Sequence, residues 1–187
     1  MPETPYLILR GELVREQLER LRAALGPEVE VFYAVKANPH PGLLRMLARM
    51  GVGFEVASLS ELRAVLRMGV PPERVTSSNP VKLPSFVREA ARLGLRRFAF
   101  DSPAELDKLA RLAPGCEVYV RLRVDDQASR WPLGGKFGLE PEAALELLVE
   151  ARARGLLPVG ITFHVGSQCL QPQSWAHAIE RAHRLWE

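Results

Sequence analysis

The chain has 187 residues, of which 47% are hydrophobic and 25% are charged, and this composition is typical of a soluble globular domain with a sizeable core. No apolar run approaches the ~20 residues of a membrane helix, and the N-terminus lacks the pattern of a signal segment, so we expect a cytoplasmic protein that does not bind membranes. The net charge of +3 does not indicate nucleic-acid binding, because cations and acids alternate along the helical patterns and form no basic run.

The cysteines and histidines indicate neither a disulfide framework nor a metal site. Two cysteines are too few for such a framework, and the four histidines are scattered without metal-ligand spacing. Cys169 lies near His164 in sequence, but no third residue that would orient a Cys–His pair is evident, so we do not expect a nucleophilic cysteine. The tryptophans are expected to be packing residues: Trp131, Trp175 and Trp186.

Strand-like and helix-like segments alternate along the chain at a fairly regular spacing. A leading helix is predicted over about 11–25. Strands are predicted near 29–35, 52–57, 74–78, 96–100, 117–124 and 158–164. Helices are predicted near 41–50, 59–68, 83–93, 103–112, 140–155 and 172–187. Two of these helices begin with a capping serine, Ser58 or Ser102, that is followed three residues later by a glutamate.

This alternation predicts an α/β fold with a parallel sheet and right-handed crossovers. A doubly wound sheet and a (β/α)8 TIM-type barrel both satisfy it. No glycine-rich nucleotide-binding motif follows a strand, which weakens the doubly wound alternative. Polar residues at the ends of different strands favour the barrel: Lys36, Ser58, Asn79, Asp101, Arg123 and His164. We count about six of the eight barrel units, so residues 1–187 are expected to form the N-terminal portion of a barrel whose last units are absent.

Two strand ends carry side chains that could take part in a chemical reaction. The first predicted strand, 29–35, ends at Lys36, and its β-branched and aromatic residues predict that it is buried. Lys36 is one of only four lysines among 25 cationic residues. A lysine can form a Schiff base, whereas an arginine stays protonated, although a chance lysine at a strand end remains an alternative. The last predicted strand leads into His164, Gly166 and Ser167. Together these groups suggest a carbonyl-binding lysine beside an aromatic or phosphate-bearing cofactor.

Five short motifs in order strengthen this interpretation. They are Tyr33–Asn38, Gly53–Ser58, Phe100–Ser102, Lys136–Gly138 and Phe163–Ser167. With them, the chain resembles, from about Tyr6 onward, the N-terminal part of the pyridoxal-phosphate (PLP) decarboxylases that act on ornithine, diaminopimelate and arginine. The resemblance implies an alanine-racemase-like barrel, PLP as the cofactor, and loss of CO2 from a small basic amino acid.

Within this family the substrate is indicated by two segments. Arg121–Asp126 and Ser129–Gly138 are most similar to ornithine decarboxylases, which convert ornithine to putrescine in polyamine biosynthesis. Gln168 is more common in diaminopimelate decarboxylases of lysine biosynthesis, so that activity is an alternative. Two further alternatives for the function are a non-catalytic regulator that keeps the decarboxylase fold, and a racemase or small PLP carrier protein.

The resemblance also implies the roles of four strand-end residues. Lys36 matches the lysine that holds the cofactor as a Schiff base and takes part in proton transfer. His164 matches the histidine that stacks on the pyridine ring. Ser167 matches a phosphate ligand, and Gly166 would let the backbone approach the phosphate closely.

Four more residues match positions around the cofactor or the subunit interface. Glu55 stands where the family usually has an aspartate near the ring. Glu61 and Arg121 match polar residues that line the pocket, although a first-turn acid and a strand-end cation explain them equally well. Lys136 matches a lysine at the interface of a homodimer.

Several of the family's groups are expected beyond Glu187. These are a glycine-rich phosphate loop, the acid that pairs with the pyridine nitrogen, an arginine on the phosphate, and a C-terminal β-domain with a Cys–Asp pair. Because the protonated pyridine accepts the electrons released with CO2, we expect the 187-residue chain alone to be inactive.

Overall fold

A computed structural model describes residues 3–187 and has alternating strands and helices throughout. The helices of this part of the chain are α1 (Gly11–Leu25), α2 (Pro41–Arg49), α3 (Leu59–Leu66), α4 (Pro84–Arg92), α5 (Pro103–Leu112), α6 (Pro141–Ala153) and α7 (Pro172–Trp186). Its strands are β1 (Phe32–Ala34), β2 (Gly53–Glu55), β3 (Val75–Thr76), β4 (Arg97–Phe100), β5 (Glu117–Arg121) and β6 (Leu157–Thr162). The predicted α/β class with parallel strands is confirmed.

The strands lie side by side in chain order. One parallel sheet has the order β1-β2-β3 and the other has the order β4-β5-β6. A parallel bridge between Ser77 and Phe98 links them, with hydrogen bonds from Ser77 N to Arg97 O (3.0 Å) and from Ala99 N to Ser77 O (2.9 Å). A doubly wound sheet reverses its strand order at a switch point, and no reversal occurs among these strands. All six carboxyl ends therefore lie along one edge.

The first strand is shorter and less buried than its sequence predicted. Residues 29–31 lie outside β1, and Val35 belongs to a short 3-10 helix, Val35–Ala37, that carries Lys36. Among the strands of residues 3–187, β1 pairs with β2 alone, so it is an edge strand, and its three residues are half-buried. The prediction of a buried strand that ends at Lys36 was wrong in this respect.

The core lies between the helices and the sheets. Helix α2 buries Leu43, Leu44 and Leu47, which are spaced so that they share one face of the helix. They belong to the same cluster as the fully buried Phe54 of β2 and Phe98 of β4. Full burial of each such side chain contributes about 1.5–3 kcal/mol, so this shared cluster holds the strand ends in place.

A buried ion pair fixes the loop between β3 and α4 to helix α5. Lys82 Nζ donates to Asn79 O (2.9 Å) and to Ala99 O (2.6 Å), and it lies 2.9 Å from Glu105 Oε1. Lys108 Nζ binds the other oxygen of Glu105 at 2.5 Å. Burial lowers the pKa of the Lys82 ammonium, and the charge of Glu105 opposes this effect. Two of the four lysines therefore have a structural role, because both form ion pairs with the buried Glu105.

The last strand and helix leave apolar surface uncovered. Val159 in β6 is 46% exposed and Ile179 in α7 is 58% exposed. The tryptophans, which were expected to be packing residues, are partly exposed: Trp131, Trp175 and Trp186 are 59%, 51% and 64% exposed, and the Trp175 ring packs edge-on against Phe163 with 6.4 Å between centroids. Within residues 3–187, no helix combines the length and the apolar character needed to cross a bilayer.

Candidate functional site

The candidate site lies along the carboxyl ends of the strands. Lys36 is exposed in the 3-10 helix that follows β1. Glu55 is the last residue of β2, where its backbone pairs with Ala34 and Thr76 in the neighbouring strands. Arg121 ends β5, and its partner in register is Thr162, two residues before His164. Parallel pairing thus places the predicted amine, carboxylate, guanidinium and imidazole at one edge.

Glu55 responds electrostatically to its neighbours at this edge. Burial raises the pKa of the Glu55 carboxyl, and the positive charge of Lys36 acts in the opposite direction. A 3.3 Å hydrogen bond from Ser78 N to Glu55 Oε1 also favours the ionised form. The charge of Glu61 adds a smaller increase. Lys36, Glu55 and Glu61 therefore share one electrostatic environment.

The contacts of Glu61 are those of a helix-capping residue. Glu61 Oε2 accepts a 2.7 Å hydrogen bond from Ala57 N, while Ser58 Oγ accepts from Glu61 N at 3.3 Å. These two bonds satisfy backbone donors at the start of α3. The sequence offered two explanations for Glu61, a pocket-lining residue and a first-turn acid, and its hydrogen bonds fit the second. Its negative charge also raises the pKa of Glu55.

His164 has a defined ring orientation. Its Nδ1 accepts a 2.9 Å hydrogen bond from Gly166 N, which assigns the proton of the neutral ring to Nε2. Partial burial of the ring lowers the pKa of His164, and the charges of Arg121 and then Lys36 lower it further. Asp126 opposes these effects. Near neutral pH the ring is therefore uncharged and can lie flat against another ring.

Gly166 lies in a close contact that only glycine fits. Its φ is +85°, and a Cβ atom there would overlap the side chain of Ser129. The next residue, Ser167, pairs with Trp131 through Ser167 N to Trp131 O (3.1 Å) and Trp131 N to Ser167 O (3.4 Å). The loop that carries Ser129 and Trp131 thus supports the segment after His164.

Arg121 is half-buried beside this loop. Its guanidinium lies 5.2 Å from the centroid of the Phe137 ring, in the range of a cation–π contact. Burial lowers the pKa of Arg121, and Asp101 and Asp126 oppose this effect. Phe137 is followed by Gly138, whose backbone N donates to Asp101 Oδ2 at 2.9 Å. The Lys136–Gly138 motif is therefore held at the end of β4, while Lys136 itself is exposed.

Sequence reasoning missed the residue that organises the loop. Asp126 is 3% exposed, and its Oδ2 accepts hydrogen bonds from Leu133 N and, at 2.6 Å, from Gly134 N. Its backbone O accepts from Ser129 Oγ at 2.7 Å. The sequence carried no local signal for this role, because the two hydrogen-bond donors lie seven and eight residues after Asp126.

A second polar cluster was also missed. The Tyr119 hydroxyl binds Ser78 Oγ at 3.2 Å and also contacts Thr76 Oγ1. Burial raises the pKa of Tyr119. Because Ser78 also donates its backbone N–H to Glu55, this cluster extends the site's polar surface along β3 and β5.

The comparison with protein families identifies this arrangement. Residues 11–187 match the family described as "Pyridoxal-dependent decarboxylase, pyridoxal binding domain". The chain belongs to this family. The sequence-based recognition is confirmed, and with it PLP as the cofactor that this domain binds.

Several curated relatives of this PLP-binding domain are named as decarboxylases of ornithine or lysine, and one is named as an antizyme inhibitor. The lysine/ornithine decarboxylase of Selenomonas ruminantium is 41% identical over 184 residues, which are 98% of this chain and 47% of the relative. The ornithine decarboxylase of Neurospora crassa is 41% identical over 99% of this chain and 38% of the relative. Antizyme inhibitor 2 of Xenopus laevis is 37% identical over 95% of this chain. The chain spans less than half the length of each of the two decarboxylases.

Solved structures give the same picture. Lysine decarboxylase from Selenomonas ruminantium superposes with a TM-score of 0.90 and 42% identity, over 97% of this chain and 48% of that one. A second solved structure, of a mutant of the protein named SrLDC in complex with PLP, superposes with a TM-score of 0.93 and 41% identity, over 98% of this chain and 47% of that one. Nearly the whole chain therefore has the fold of the matching half of these decarboxylases.

The residues of the candidate site fit PLP chemically. The exposed Lys36 supplies an amine, Arg121 supplies a cation, and Ser167 supplies a hydroxyl. The uncharged ring of His164 and the positive φ of Gly166 suit a flat ring and a close backbone approach. No group of three or more metal-binding side chains occurs in the part of the chain that the structure describes.

Proposed function

We propose that residues 1–187 are the N-terminal, PLP-binding part of a decarboxylase that converts ornithine to putrescine. The observation that carries this proposal is the shared environment of Lys36 and His164. The pKa of His164 responds to the charge of Lys36, although the two residues follow the first and last strands. An amine and an uncharged imidazole at one strand edge are what a PLP site needs from this part of the chain.

Lys36 would be the point of covalent attachment for the cofactor. Attack on a carbonyl needs the neutral amine. After burial, the positive charges of Arg121 and Lys36 both lower the pKa of His164, so both cations act at the same edge of the sheet as the imidazole. Glu55 provides a nearby carboxylate: burial raises the pKa of its carboxyl, and the charge of Lys36 opposes this effect.

The remaining residues would orient the cofactor. His164 presents an uncharged ring whose orientation is fixed by Gly166 N, and Ser167 with the neighbouring backbone would bind the phosphate. Arg121 keeps positive charge at this edge. When bound, PLP supplies the electron sink that accepts the electrons left as CO2 departs.

The fold would be completed by two further strand–helix units and a β-domain. Six units in sequential order are three quarters of a (β/α)8 barrel, and the exposed surface of β6 and α7 is where a seventh unit would pack. Lys136 is exposed, as a residue at a homodimer interface would be in a single chain. The groups that select the substrate and protonate the pyridine nitrogen would belong to these parts.

Another substrate and a non-catalytic role are the principal alternatives. Relatives act, by their names, on lysine or ornithine, and one solved neighbour is an arginine decarboxylase. The relation to antizyme inhibitor 2 favours a regulator that binds a partner. The presence of Lys36, His164 and Ser167 argues against it, because a regulator does not need all three. Diaminopimelate remains an alternative substrate because of Gln168.

Covalent labelling tests the cofactor site directly. The purified chain is mixed with PLP and reduced with borohydride, and the adduct is located by peptide mass mapping. We expect one adduct, on Lys36, which Lys36→Ala abolishes. Lys136→Ala is the matched control, because Lys136 is also exposed and should not be labelled. Labelling of both lysines to the same extent would contradict a preorganised site.

Release of CO2 from ornithine, lysine, arginine and diaminopimelate tests the activity. The 187-residue chain should release none, while the full-length protein should act most rapidly on ornithine. Activity of the short chain that depends on Lys36 would contradict the need for the missing units. A full-length protein that binds PLP through Lys36 but releases no CO2 would favour the regulator.

A further inference from the structure

A cavity lies at the opposite edge of the sheet from the PLP site. It has a volume of about 370 Å³ and lies between α2, the segment after α3, and the amino ends of β2 and β3. Three of its nine lining residues are the arginines Arg45, Arg49 and Arg74, and the other six are apolar residues or glycine. No acidic residue lines it. This volume is within the range of small-ligand pockets.

The three arginines form no ion pair with a carboxylate in the part of the chain that the structure describes. Among residues 3–187, none of the ion pairs includes Arg45, Arg49 or Arg74. Some exposed arginines elsewhere are paired closely, as in Arg92–Glu89 (2.9 Å) and Arg154–Glu150 (2.6 Å), whereas others such as Arg88 and Arg152 have no ion pair among residues 3–187. The cavity differs from these isolated positions because three unpaired guanidinium groups line one space.

A second contact brings a fourth arginine, Arg22, next to Arg74 in a neighbouring cavity that both arginines line. Arg22 Nη2 donates to Gly51 O at 3.3 Å, and Arg74 donates to the same carbonyl oxygen. Two guanidinium groups thus converge on one neutral acceptor, and their like charges repel at this range. Gly51 has a φ of +71°, so its backbone turns between the two arginines. A bound anion would remove this repulsion and give the remaining N–H groups acceptors.

The negative charge near the cavity is smaller than the positive charge of its arginines. The carboxyl ends of α2 and α3 lie at its edge, and each contributes roughly half a negative charge. Glu73 is next to Arg74 in sequence but is exposed and does not line the cavity. Glu30 lines the neighbouring cavity, to which Arg22 adds a further positive charge. The guanidinium groups together exceed these negative contributions, so the net local charge is positive.

We propose that this cavity binds a small anion that carries two or more phosphate groups, such as a di- or triphosphate. Guanidinium groups bind phosphate oxygens in pairs through their planar N–H donors, and three of them can bind successive phosphates. The site is formed by two neighbouring strand–helix units of this chain alone. It lies away from Lys36 and His164, so it stands independently of the proposed decarboxylase activity.

Calorimetric titration of the purified chain with inorganic tripolyphosphate at low salt tests the proposal. The test variant is Arg45→Gln/Arg49→Gln, which changes two exposed positions of α2 and leaves Arg74 bound to Gly51. The matched control is Arg88→Gln/Arg152→Gln, which removes the same charge from exposed positions of α4 and α6. We expect the test variant to bind at least about tenfold more weakly and the control to bind as the unchanged chain does.

Three results would overturn the proposal. The first is an equal loss of affinity in both double variants, which would mean general surface charge. The second is equal affinity for orthophosphate, since a site for several phosphates must prefer the longer anion. The third is tighter, arginine-dependent binding of a single-stranded RNA oligonucleotide, which would assign the surface to nucleic acid. Should the test variant not fold, Arg45→Glu is compared with Arg88→Glu, and the same criteria apply.

Discussion

Gly166 is held between the loop of Ser129 and the segment that carries His164. Its positive φ and the position of the Ser129 side chain both exclude a Cβ atom. Gly166→Ala should therefore lower the free energy of unfolding by about 1–3 kcal/mol and weaken PLP binding, because His164 and Ser167 move with the backbone. Urea unfolding and the absorbance of bound PLP measure the two effects.

Gly135→Ala is the control for this substitution. Gly135 lies in the same loop region, has no positive φ, and has open space where a Cβ would be placed. It should change neither stability nor cofactor binding. If Gly166→Ala behaves like Gly135→Ala, the close contact with Ser129 does not position the site.

The ionisation of His164 can be followed at its own ring. Its pKa should lie below the usual 6.5, because of partial burial first and the charge of Arg121 second. The unfolded chain then binds this proton more readily than the folded chain does. The contribution of His164 to stability is therefore present above pH 6.5 and is lost as the pH falls through the lower, folded-state pKa.

Arg121→Gln should raise the pKa of His164 without restoring the usual value, because the burial of the ring remains. Proton NMR titration of the His164 ring measures the change. Arg123→Gln removes an equal charge two residues away, from an exposed side chain, and should have little effect. A larger shift with Arg123→Gln would contradict the arrangement of charges at this edge.

At the level of single residues, the sequence was informative where a motif coincided with a strand end. Lys36 and His164 could be placed at one edge because parallel strands align their carboxyl ends. Asp126 could not be placed, because its function depends on a turn that brings Leu133 N and Gly134 N back to its carboxylate. Such contacts arise from loop geometry, which has no periodicity to detect.

Among the elements, the helix starts were easiest to predict. Ser58 and Ser102 accept hydrogen bonds from Glu61 N and Glu105 N, both at 3.3 Å, as their spacing indicated. Strand ends were harder, and β1 is shorter than predicted because pairing with a neighbour, more than composition, determines where a strand ends. The buried ion pair of Lys82 and Glu105 could not be predicted either, because the sequence around Glu105 is that of an ordinary acid in the first turn of a helix.

The ion pair of Lys82 and Glu105 should matter more than any surface pair. Lys82→Met leaves the Glu105 charge buried with only Lys108, so we expect a loss of about 3–5 kcal/mol in the free energy of unfolding. Arg92→Met breaks an exposed pair with Glu89 and should change stability little. Lys82→Met/Glu105→Leu should recover much of the loss. Urea unfolding of the three variants tests this, and equal losses for Lys82→Met and Arg92→Met would contradict it.

For the whole molecule, strict alternation predicted the sequential parallel order of the strands. The absence of a reversal in that order was not visible in the sequence, and it became clear from the bridge between Ser77 and Phe98 that links the two sheets. The exposure of Trp175 and Trp186 could not be predicted, because the sequence of a helix does not show whether a neighbouring unit covers its tryptophans.

The uncovered face predicts how the isolated chain behaves in solution. Strand β6 is hydrogen-bonded on one side only, to β5, and the apolar side chains of β6 and α7 extend this edge. Open strand edges and contiguous apolar surface favour pairing between copies. We expect sedimentation velocity of the purified chain to show a distribution that shifts to larger species as concentration rises.

Val159→Lys places a charge in this edge strand and should move the distribution toward the monomer, because charged side chains at strand edges oppose pairing. Val81→Lys is the control, since Val81 is 56% exposed in the loop between β3 and α4, away from the open edge. A sharp monomer peak for the unchanged chain at all concentrations would mean that the exposed face of β6 and α7 is tolerated in water. In that case the chain needs no further unit to remain a single folded molecule, whatever the remaining units contribute to catalysis.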